Sequence, residues 1–322
     1  MLSIDYLVSG GIITNYFCTS RCRHCLYRCS PSWPKDYMDK TVARAAFKIC
    51  KEHGCSSVHV GGGEPFLNLK GLLGVLEAAK DTPVNIEYIE TNSSWYVGHG
   101  NAVAILKEVR SFGADTLLVS ASPFHLEFIP FGKVMGVVDA CRKVGLNTFI
   151  WTQDFFSLFK RLDPAKRYSI KELEKVVGRK RLHDMIASYW IHPGGRALET
   201  FFADGMLLEE IFLKYSGGCR ELADTSHFHV DLYGNYVPGL CSGLAIRVED
   251  LGRPLNPERY PIISILYQEG VSGLYRHASA EGFRPAQKRY GSKCGLCFEM
   301  RKFFVDKGEY LSELAPVDHY RN

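Results

Sequence analysis

The regular alternation of strand and helix signals over the first two thirds of this chain most constrains its fold. Short apolar runs that end in glycine or polar turns are each followed by a segment with helical periodicity. The predicted strands are residues 11–17, 57–60, 84–90, 116–121, 147–152 and 185–190. The predicted helices are residues 39–52, 69–80, 102–112, 134–144 and 170–177. This order predicts an α/β fold with a parallel sheet and right-handed crossovers, of the partial (β/α)6 barrel type.

Residues with chemically useful side chains follow the predicted strands directly. In a parallel barrel these positions meet at the C-terminal edge of the sheet, where such folds carry their chemistry. The residues placed there are Cys18, Glu64, Asn92, Ser122, His125 and Arg196. The agreement between their positions and the topology predicts one site at this edge.

The alternation fades after about residue 205, and a strand–turn–strand pattern, FHVDLYGNYVPGL, follows. Its turn is predicted at Tyr233, Gly234 and Asn235, between alternating apolar residues. We therefore divide the chain into a core at residues 1–205, a small domain with a β-hairpin and helix at 206–305, and a C-terminal tail at 306–322.

Eleven cysteines are many for a chain of 322 residues without a signal-peptide pattern. We expect a cytoplasmic protein, where disulfides are rare and clustered cysteines indicate metal binding or catalysis. The net charge of +4 with no basic block argues against nucleic-acid binding, and no apolar run is long enough for a membrane span. Cys50, Cys55 and Cys141 stand apart from the clusters and are predicted to be small buried residues.

Cys18, Cys22 and Cys25 follow the first predicted strand with the spacing C-x3-C-x2-C. Three thiolates can hold three irons of a cubane cluster and leave the fourth iron open to another ligand. The alternative is zinc, which needs a fourth ligand, and Cys29 or His24 could supply it.

The triplet, in this position, resembles the signature of the radical S-adenosylmethionine (SAM) enzymes. The resemblance implies that Cys18, Cys22 and Cys25 bind a 4Fe–4S cluster whose open iron is chelated by SAM. It further implies reductive cleavage of SAM to a 5′-deoxyadenosyl radical that takes a hydrogen atom from a substrate. An electron donor such as flavodoxin or ferredoxin would then be a partner.

Further segments resemble the SAM-binding elements of this family. Gly62, Gly63 and Glu64 match a Gly-Gly-Glu-Pro motif, and Asn92 matches part of a Thr-Asn-Gly element. Ser122 stands where the family commonly has Asp, with His125 nearby as a residue lining the active site. The resemblance implies two more contacts: Arg196 to the SAM carboxylate, and the ring of His24 to the adenine.

A second set of cysteines, Cys219, Cys241, Cys294 and Cys297, lies around and after the predicted hairpin. Their arrangement resembles the Twitch domain, the short form of the SPASM domain, which implies a second, auxiliary 4Fe–4S cluster. A structural zinc site remains the alternative, because four cysteines with one C-x2-C pair also fit zinc.

The overall layout resembles the epipeptide-type peptide epimerases, which implies a peptide substrate that is modified or epimerised. Those enzymes have two adjacent cysteines after the hairpin, whereas this chain has Cys241 followed by Ser242. Cys29 is therefore the candidate for a thiol that returns a hydrogen atom, and His125 is the other candidate catalytic residue. The alternatives are a small-metabolite dehydrogenase of the Twitch type and a non-catalytic zinc-binding scaffold.

Overall fold

The structure is a computed structural model that describes residues 1–202 and 205–322. Five strands belong to the first half: β1 (Gly10–Ile13), β2 (Ser57–Gly61), β3 (Asn85–Thr91), β4 (Thr116–Ser120) and β5 (Asn147–Trp151). The helices up to residue 200 are α1 (Lys40–Glu52), α2 (Leu69–Asp81), α3 (His99–Ser111), α4 (Pro123–Leu126), α5 (Phe131–Val144), α6 (Gln153–Phe159), α7 (Ile170–Val177), α8 (Arg179–Ser188) and α9 (Ala197–Thr200).

The C-terminal part contains short strands and longer helices. Its strands are β6 (Met206–Leu207), β7 (Phe228–Asp231), β8 (Asn235–Val237), β9 (Ile246–Arg247) and β10 (Arg289–Tyr290). Its helices are α10 (Leu208–Lys214), α11 (Pro261–Ala280), α12 (Lys293–Lys307) and α13 (Asp318–Arg321). No helix in the described ranges is both long enough and apolar enough to cross a membrane.

The main sheet has the strand order β5-β4-β3-β2-β1-β7-β8-β9. All pairs from β5 to β7 are parallel, and β8 and β9 continue the sheet in antiparallel pairing. The predicted α/β fold with six parallel strands is therefore confirmed. The sixth parallel strand, however, is β7 from the C-terminal part, so the hairpin extends the same sheet as the first five strands.

The prediction of a sixth strand at residues 185–190 is wrong. Most of this segment belongs to α8, which buries Leu182, while Trp190 beyond its end is 64% exposed. In a segment of six residues, the few apolar side chains fit the periodicity of a strand almost as well as that of a helix. In the structure most of this segment is helical.

The predicted turn of the hairpin is confirmed, and the carboxylate of Asp231 organises it. This side chain accepts hydrogen bonds from the backbone N–H groups of Tyr233 and Asn235. Gly234 supplies the left-handed backbone conformation (φ 74°) that the turn requires. The second carboxylate oxygen accepts a hydrogen bond from the Tyr16 hydroxyl at 2.9 Å. The hairpin is thereby joined to the loop that follows β1.

The last residues of the chain pack against both halves of the molecule. Tyr320 is buried, and its hydroxyl donates to the carbonyl of Gly243 at 2.5 Å and accepts from Arg301 at 3.0 Å. At the other side, Arg28 donates to the main-chain oxygen of Asn322 at 2.6 Å. The predicted tail at 306–322 thus connects the loop after β1 with the region that carries the second cysteine set.

We predict that Tyr320→Phe lowers the thermal unfolding midpoint by at least about 2 °C. The change removes two buried hydrogen bonds and leaves the Gly243 carbonyl without its donor, which costs about 1–3 kcal/mol. Tyr6→Phe is the matched control, because Tyr6 is 59% exposed. Equal midpoints for the two variants, measured by calorimetry, would contradict the bridging role of Tyr320.

Candidate iron–sulfur and cofactor site

A cavity of about 370 Å³ opens at the C-terminal edge of the parallel sheet. The sulfur-bearing residues on its wall come from the loop after β1: Cys18, Cys22, Cys25 and Cys29. The remaining predicted site residues on the wall are Gly62, Gly63, Asn92, His24 and His125. Sequence positions that are far apart in the chain therefore meet at one edge, as the topology predicted.

Asn92 links the end of β3 to the first cysteine. Its side-chain N–H donates to the sulfur of Cys18 at 3.3 Å, and its side-chain oxygen accepts from the backbone N–H of Ser94 at 2.8 Å. The second contact fixes the orientation of the amide. A donor held at this distance stabilises negative charge on the sulfur.

Glu64 does not line the cavity, although it was predicted as a cofactor contact. Its fully buried carboxylate accepts hydrogen bonds from the backbone N–H groups of Asn92 at 2.7 Å and Phe66 at 3.2 Å. It also accepts from the Thr91 hydroxyl at 3.0 Å. Burial raises the pKa of Glu64 to about 7. This side chain therefore joins the loop after β2 to the end of β3, and a contact of Glu64 with a cofactor stays a prediction.

Arg196 is likewise buried and does not line the cavity, and its contact with a carboxylate stays a prediction. Its guanidinium donates to the carbonyl of Cys22 at 2.8 Å and to the carbonyl of Cys29 at 3.1 Å. Its backbone N–H donates to the carbonyl of Cys25 at 3.0 Å. Arg196 therefore holds the cysteine loop in place through three main-chain oxygens.

Ser122 and His125 form a pair after β4. The Ser122 hydroxyl and His125 Nδ1 are 2.7 Å apart, and only His125 reaches the cavity. Burial lowers the pKa of His125 to about 4, so the ring is neutral at neutral pH. Ser122 thus contacts His125 and does not line the cavity, and its contact with a cofactor stays a prediction.

His24 lies on the cavity wall beside an aromatic cluster. Its ring centroid is 4.9 Å from that of Phe124 and 5.1 Å from that of His125. Its Nδ1 is buried and has no hydrogen-bond partner within the protein. A buried polar atom without a partner on a cavity wall is suited to contact a bound ligand.

The protein environment makes most thiols of this loop less acidic than usual and one thiol more acidic. Burial raises the pKa of Cys18 to about 12 and that of Cys22 well above its usual range. Cys25 and Cys29 share a hydrogen bond, which lowers the pKa of Cys25 and raises that of Cys29. The Arg196 charge lowers the pKa of each thiol that it faces, Cys22 and Cys25 among them. A metal that binds these thiols would displace their protons.

The second cysteine set surrounds a separate cavity of about 250 Å³. Cys219, Cys241, Cys294 and Cys297 all lie on its wall, together with Lys293 and Arg301. Burial and the neighbouring thiols raise the pKa of Cys294 to about 12, and Lys293 opposes this shift. The fold thus brings together four cysteines that are up to 78 positions apart in the sequence (297 − 219 = 78). Cys50, Cys55 and Cys141 are buried elsewhere, as predicted for small core residues.

Sequence reasoning missed a group of histidines next to the first cavity. His59, His227 and His229 bring their ring nitrogens within 4.8 Å of one another. The available signal was the His-x-His spacing at 227 and 229, which places two side chains on the same face of a strand.

We predict that Arg196→Lys lowers the iron bound after anaerobic reconstitution by up to about four atoms per chain, one cubane cluster. A lysine cannot reproduce the planar fork that reaches two carbonyls at once, so the cysteine loop loses its support. Arg21→Lys is the matched control, since Arg21 lies in the same loop and is exposed. Iron assays that give equal values for both variants would show that Arg196 does not hold the loop.

The part of the chain that forms this site is similar to known proteins. Residues 12–161 match the family model "Radical SAM superfamily". Among curated proteins, YydG of Bacillus subtilis (strain 168), whose name refers to peptide biosynthesis, is 21% identical over 126 residues. That match covers 39% of this chain and 39% of YydG, so the chain matches well under half of the length of this relative.

Two solved structures align with most of this chain at low sequence identity. The structure of anSMEcpe with bound AdoMet is 16% identical, with 93% of this chain and 97% of that chain covered and a TM-score of 0.46. Streptococcus suis SuiB bound to the precursor peptide SuiA is 12% identical, with 97% of this chain and 76% of that chain covered and a TM-score of 0.35. The family match spans β1 to α6 and includes the cysteine triplet and the loops that follow β2, β3 and β4. The similarity to the radical SAM superfamily model therefore lies in residues 12–161, a little under half of this chain.

Proposed function

We propose that this protein is a radical SAM enzyme in which Cys18, Cys22 and Cys25 hold a 4Fe–4S cluster. When bound, the cluster and SAM supply reductive cleavage of SAM and abstraction of a hydrogen atom from a substrate carbon. The protein provides the ligands, the cavity and the exclusion of competing reactions. The observation that carries the proposal is the meeting of three thiols of the C-x3-C-x2-C loop with Gly62, Gly63 and Asn92 at one cavity.

Gly62 and Gly63 support a SAM site beside the triplet. A Cβ atom at Gly63 would collide with the carbonyl of Phe17, so only glycine lets this loop pack against the chain after β1. The backbone N–H of Gly63 donates to the carbonyl of Asn15 at 2.7 Å. The two loops are held together, and their main-chain atoms face the cavity where a cofactor with amino and carboxylate groups would bind.

A second 4Fe–4S cluster at Cys219, Cys241, Cys294 and Cys297 is part of the proposal. Four thiols around one cavity supply a full ligand set and leave no open iron. Lys293 and Arg301 provide positive charge next to the thiolates. Such a cluster would transfer electrons or stabilise the C-terminal part of the fold.

A peptide is the proposed substrate class, on the basis of the similarity to YydG. The wall of the first cavity also carries exposed or half-buried aromatic side chains, Trp151, Trp190 and Tyr88 among them. Aromatic side chains in an open cavity can pack against side chains of an extended peptide. The reaction proposed for that peptide is modification or epimerisation, with an electron donor such as flavodoxin or ferredoxin.

Cys29 and His125 are the proposed catalytic residues. Both lie on the cavity wall, and Cys29 is not needed as a ligand if the triplet holds the cluster. A protonated thiol can return a hydrogen atom to a substrate radical, and the environment of Cys29 favours the protonated form by raising its pKa. The thiyl radical that this transfer leaves would regain a thiol by taking up one electron from the proposed electron donor and one proton from water. The neutral ring of His125 offers a hydrogen-bonding group to the substrate.

We predict that the anaerobically reconstituted protein forms 5′-deoxyadenosine from SAM in the presence of dithionite. Mass spectrometry of the quenched reaction measures the product. A variant with Cys18, Cys22 and Cys25 all changed to Ser should form none, because the catalytic cluster has lost its ligands. A colourless protein that contains stoichiometric zinc instead of iron would contradict the proposal and favour the scaffold alternative.

We further predict that single changes separate the two clusters. Cys22→Ala should abolish SAM cleavage and retain the iron of the second set, whereas Cys294→Ala should lower the iron content by about one cluster. Cys141→Ala is the matched control, since Cys141 is a buried cysteine outside both sets. Full SAM cleavage by Cys22→Ala, or unchanged iron in Cys294→Ala, would remove the respective ligand assignment.

A further inference from the structure

The register of three neighbouring strands brings two histidines together across a glycine. Gly11 of β1 pairs with His59 of β2 on one side and with His229 of β7 on the other. A Cβ atom at Gly11 would overlap the ring of His59, so the absence of a side chain makes room for the two rings. Nε2 of His59 and Nε2 of His229 are 3.0 Å apart above this glycine.

His227 completes a convergent set of three imidazoles. It precedes β7 by one residue and lies two positions before His229, so both side chains are on the same face. The ring nitrogens of all three histidines lie within 4.8 Å of one another. Neither cysteine set contributes to this group.

The distances between the rings agree with those around one tetrahedral ion. With Zn–N bonds of about 2.05 Å, three imidazoles on one ion have nitrogens about 3.3 Å apart and ring centroids about 5 Å apart. The observed centroid distances are 5.3 Å for His59 and His227, 5.0 Å for His59 and His229, and 4.9 Å for His227 and His229. Nε2 of His59 and Nε2 of His229, which are 3.0 Å apart, are close to the separation of two imidazole nitrogens on one ion.

The ring of His229 is held from behind, as the rings of metal-binding histidines usually are. Its Nδ1 is 2.7 Å from the hydroxyl of Tyr27. This contact fixes the orientation of the ring and leaves its Nε2 directed toward Nε2 of His59.

The electrostatic environment keeps the three rings neutral, which is the form that binds metals. Burial lowers the pKa of His59 to about 3, and burial also lowers the pKa values of His227 and His229. Carboxylates also face the group: Oε1 of Glu90 is 4.0 Å from Nε2 of His59, and the charges of Asp224 and Glu87 act on His227. His227 and Glu90 both line the first cavity, so the group has one side open to it.

We propose that His59, His227 and His229 bind one divalent first-row transition-metal ion, with zinc as the expected occupant. Three imidazole nitrogens suit zinc and leave a fourth position for water or a substrate group. That position faces the cavity beside the cysteine triplet. The site is independent of the proposed function, because its ligands belong to neither cysteine set.

Zinc titration of the iron-loaded protein tests the site, with bound metal measured by plasma mass spectrometry after gel filtration. Wild-type protein should bind one zinc ion per chain beyond its iron, and His227→Ala should bind none at the same zinc concentration. His99→Ala is the matched control, since His99 is exposed on α3, outside the histidine group. Iron content is recorded for each variant, because equal iron shows that the fold and the cysteine sites are intact.

Tyr27→Phe is the second variant, in case His227→Ala does not fold. Loss of the hydroxyl that orients His229 should weaken zinc binding about 10–100-fold. Cobalt(II) bound in place of zinc should show visible d–d absorption without a thiolate charge-transfer band, as nitrogen ligation requires. No extra zinc in the wild type, or unchanged zinc in His227→Ala, would overturn the proposal and leave a hydrogen-bonded histidine pair that joins β2 to β7.

Discussion

The parallel pairing of β1 with β7 is the interaction on which the rest of the structure depends. It places β1 inside the sheet, with β2 on one side and the C-terminal hairpin on the other. The approach is close, because a Cβ atom at Gly10 would overlap the carbonyl and ring of Phe228. The loop after β1 carries the cysteine triplet, and the chain beyond the hairpin carries Cys241, so this one pairing fixes both cysteine sets relative to the same sheet. The hydrogen bond from Tyr16 to Asp231 reinforces it at the end of the strands.

Two buried arginines, Arg28 and Arg196, hold the loop after β1 in one conformation. Arg196 uses both terminal nitrogens on the carbonyls of the cysteine loop, and Arg28 binds Glu199 at 2.6 Å and the main chain of Asn322. A buried guanidinium is costly unless it is hydrogen-bonded, so these contacts specify one loop conformation. The charge of Arg196 also lies near thiols that become anionic when a metal binds. Arg196 therefore provides both structural support and charge compensation.

Most of the fold could be predicted from the sequence, because hydrophobic periodicity and turn residues mark each strand and helix of the first half locally. The first five strands follow from apolar runs and turn residues, and the site edge follows from the rule that parallel strands end together. The sixth strand was misplaced because a helical segment of few apolar residues resembles a strand, while the real partner of β1 is distant in the chain. The residues of β1 and β7 are more than 200 positions apart, so no local sequence pattern indicates that these strands pair.

The candidate site was predicted less completely than the fold. Gly62, Gly63, Asn92 and the cysteines are on the cavity walls, whereas Glu64, Ser122 and Arg196 contact neighbouring loops and side chains. Spacing identifies which residues come to an edge, but it does not determine the direction of each side chain. The histidine group was missed for a related reason: His59 and His229 meet only because β1 lies between their strands with a glycine at the crossing point.

The central claim is that the chain holds two distinct iron–sulfur clusters, of which one has an open iron. Electron paramagnetic resonance of the dithionite-reduced protein, recorded with and without SAM, tests it most directly. The account predicts about eight irons per chain and two reduced-cluster signals, of which one changes when SAM is added and the other does not. Two signals that both stay unchanged when SAM is added would contradict the claim. A single signal from a protein with about four irons per chain would also contradict it.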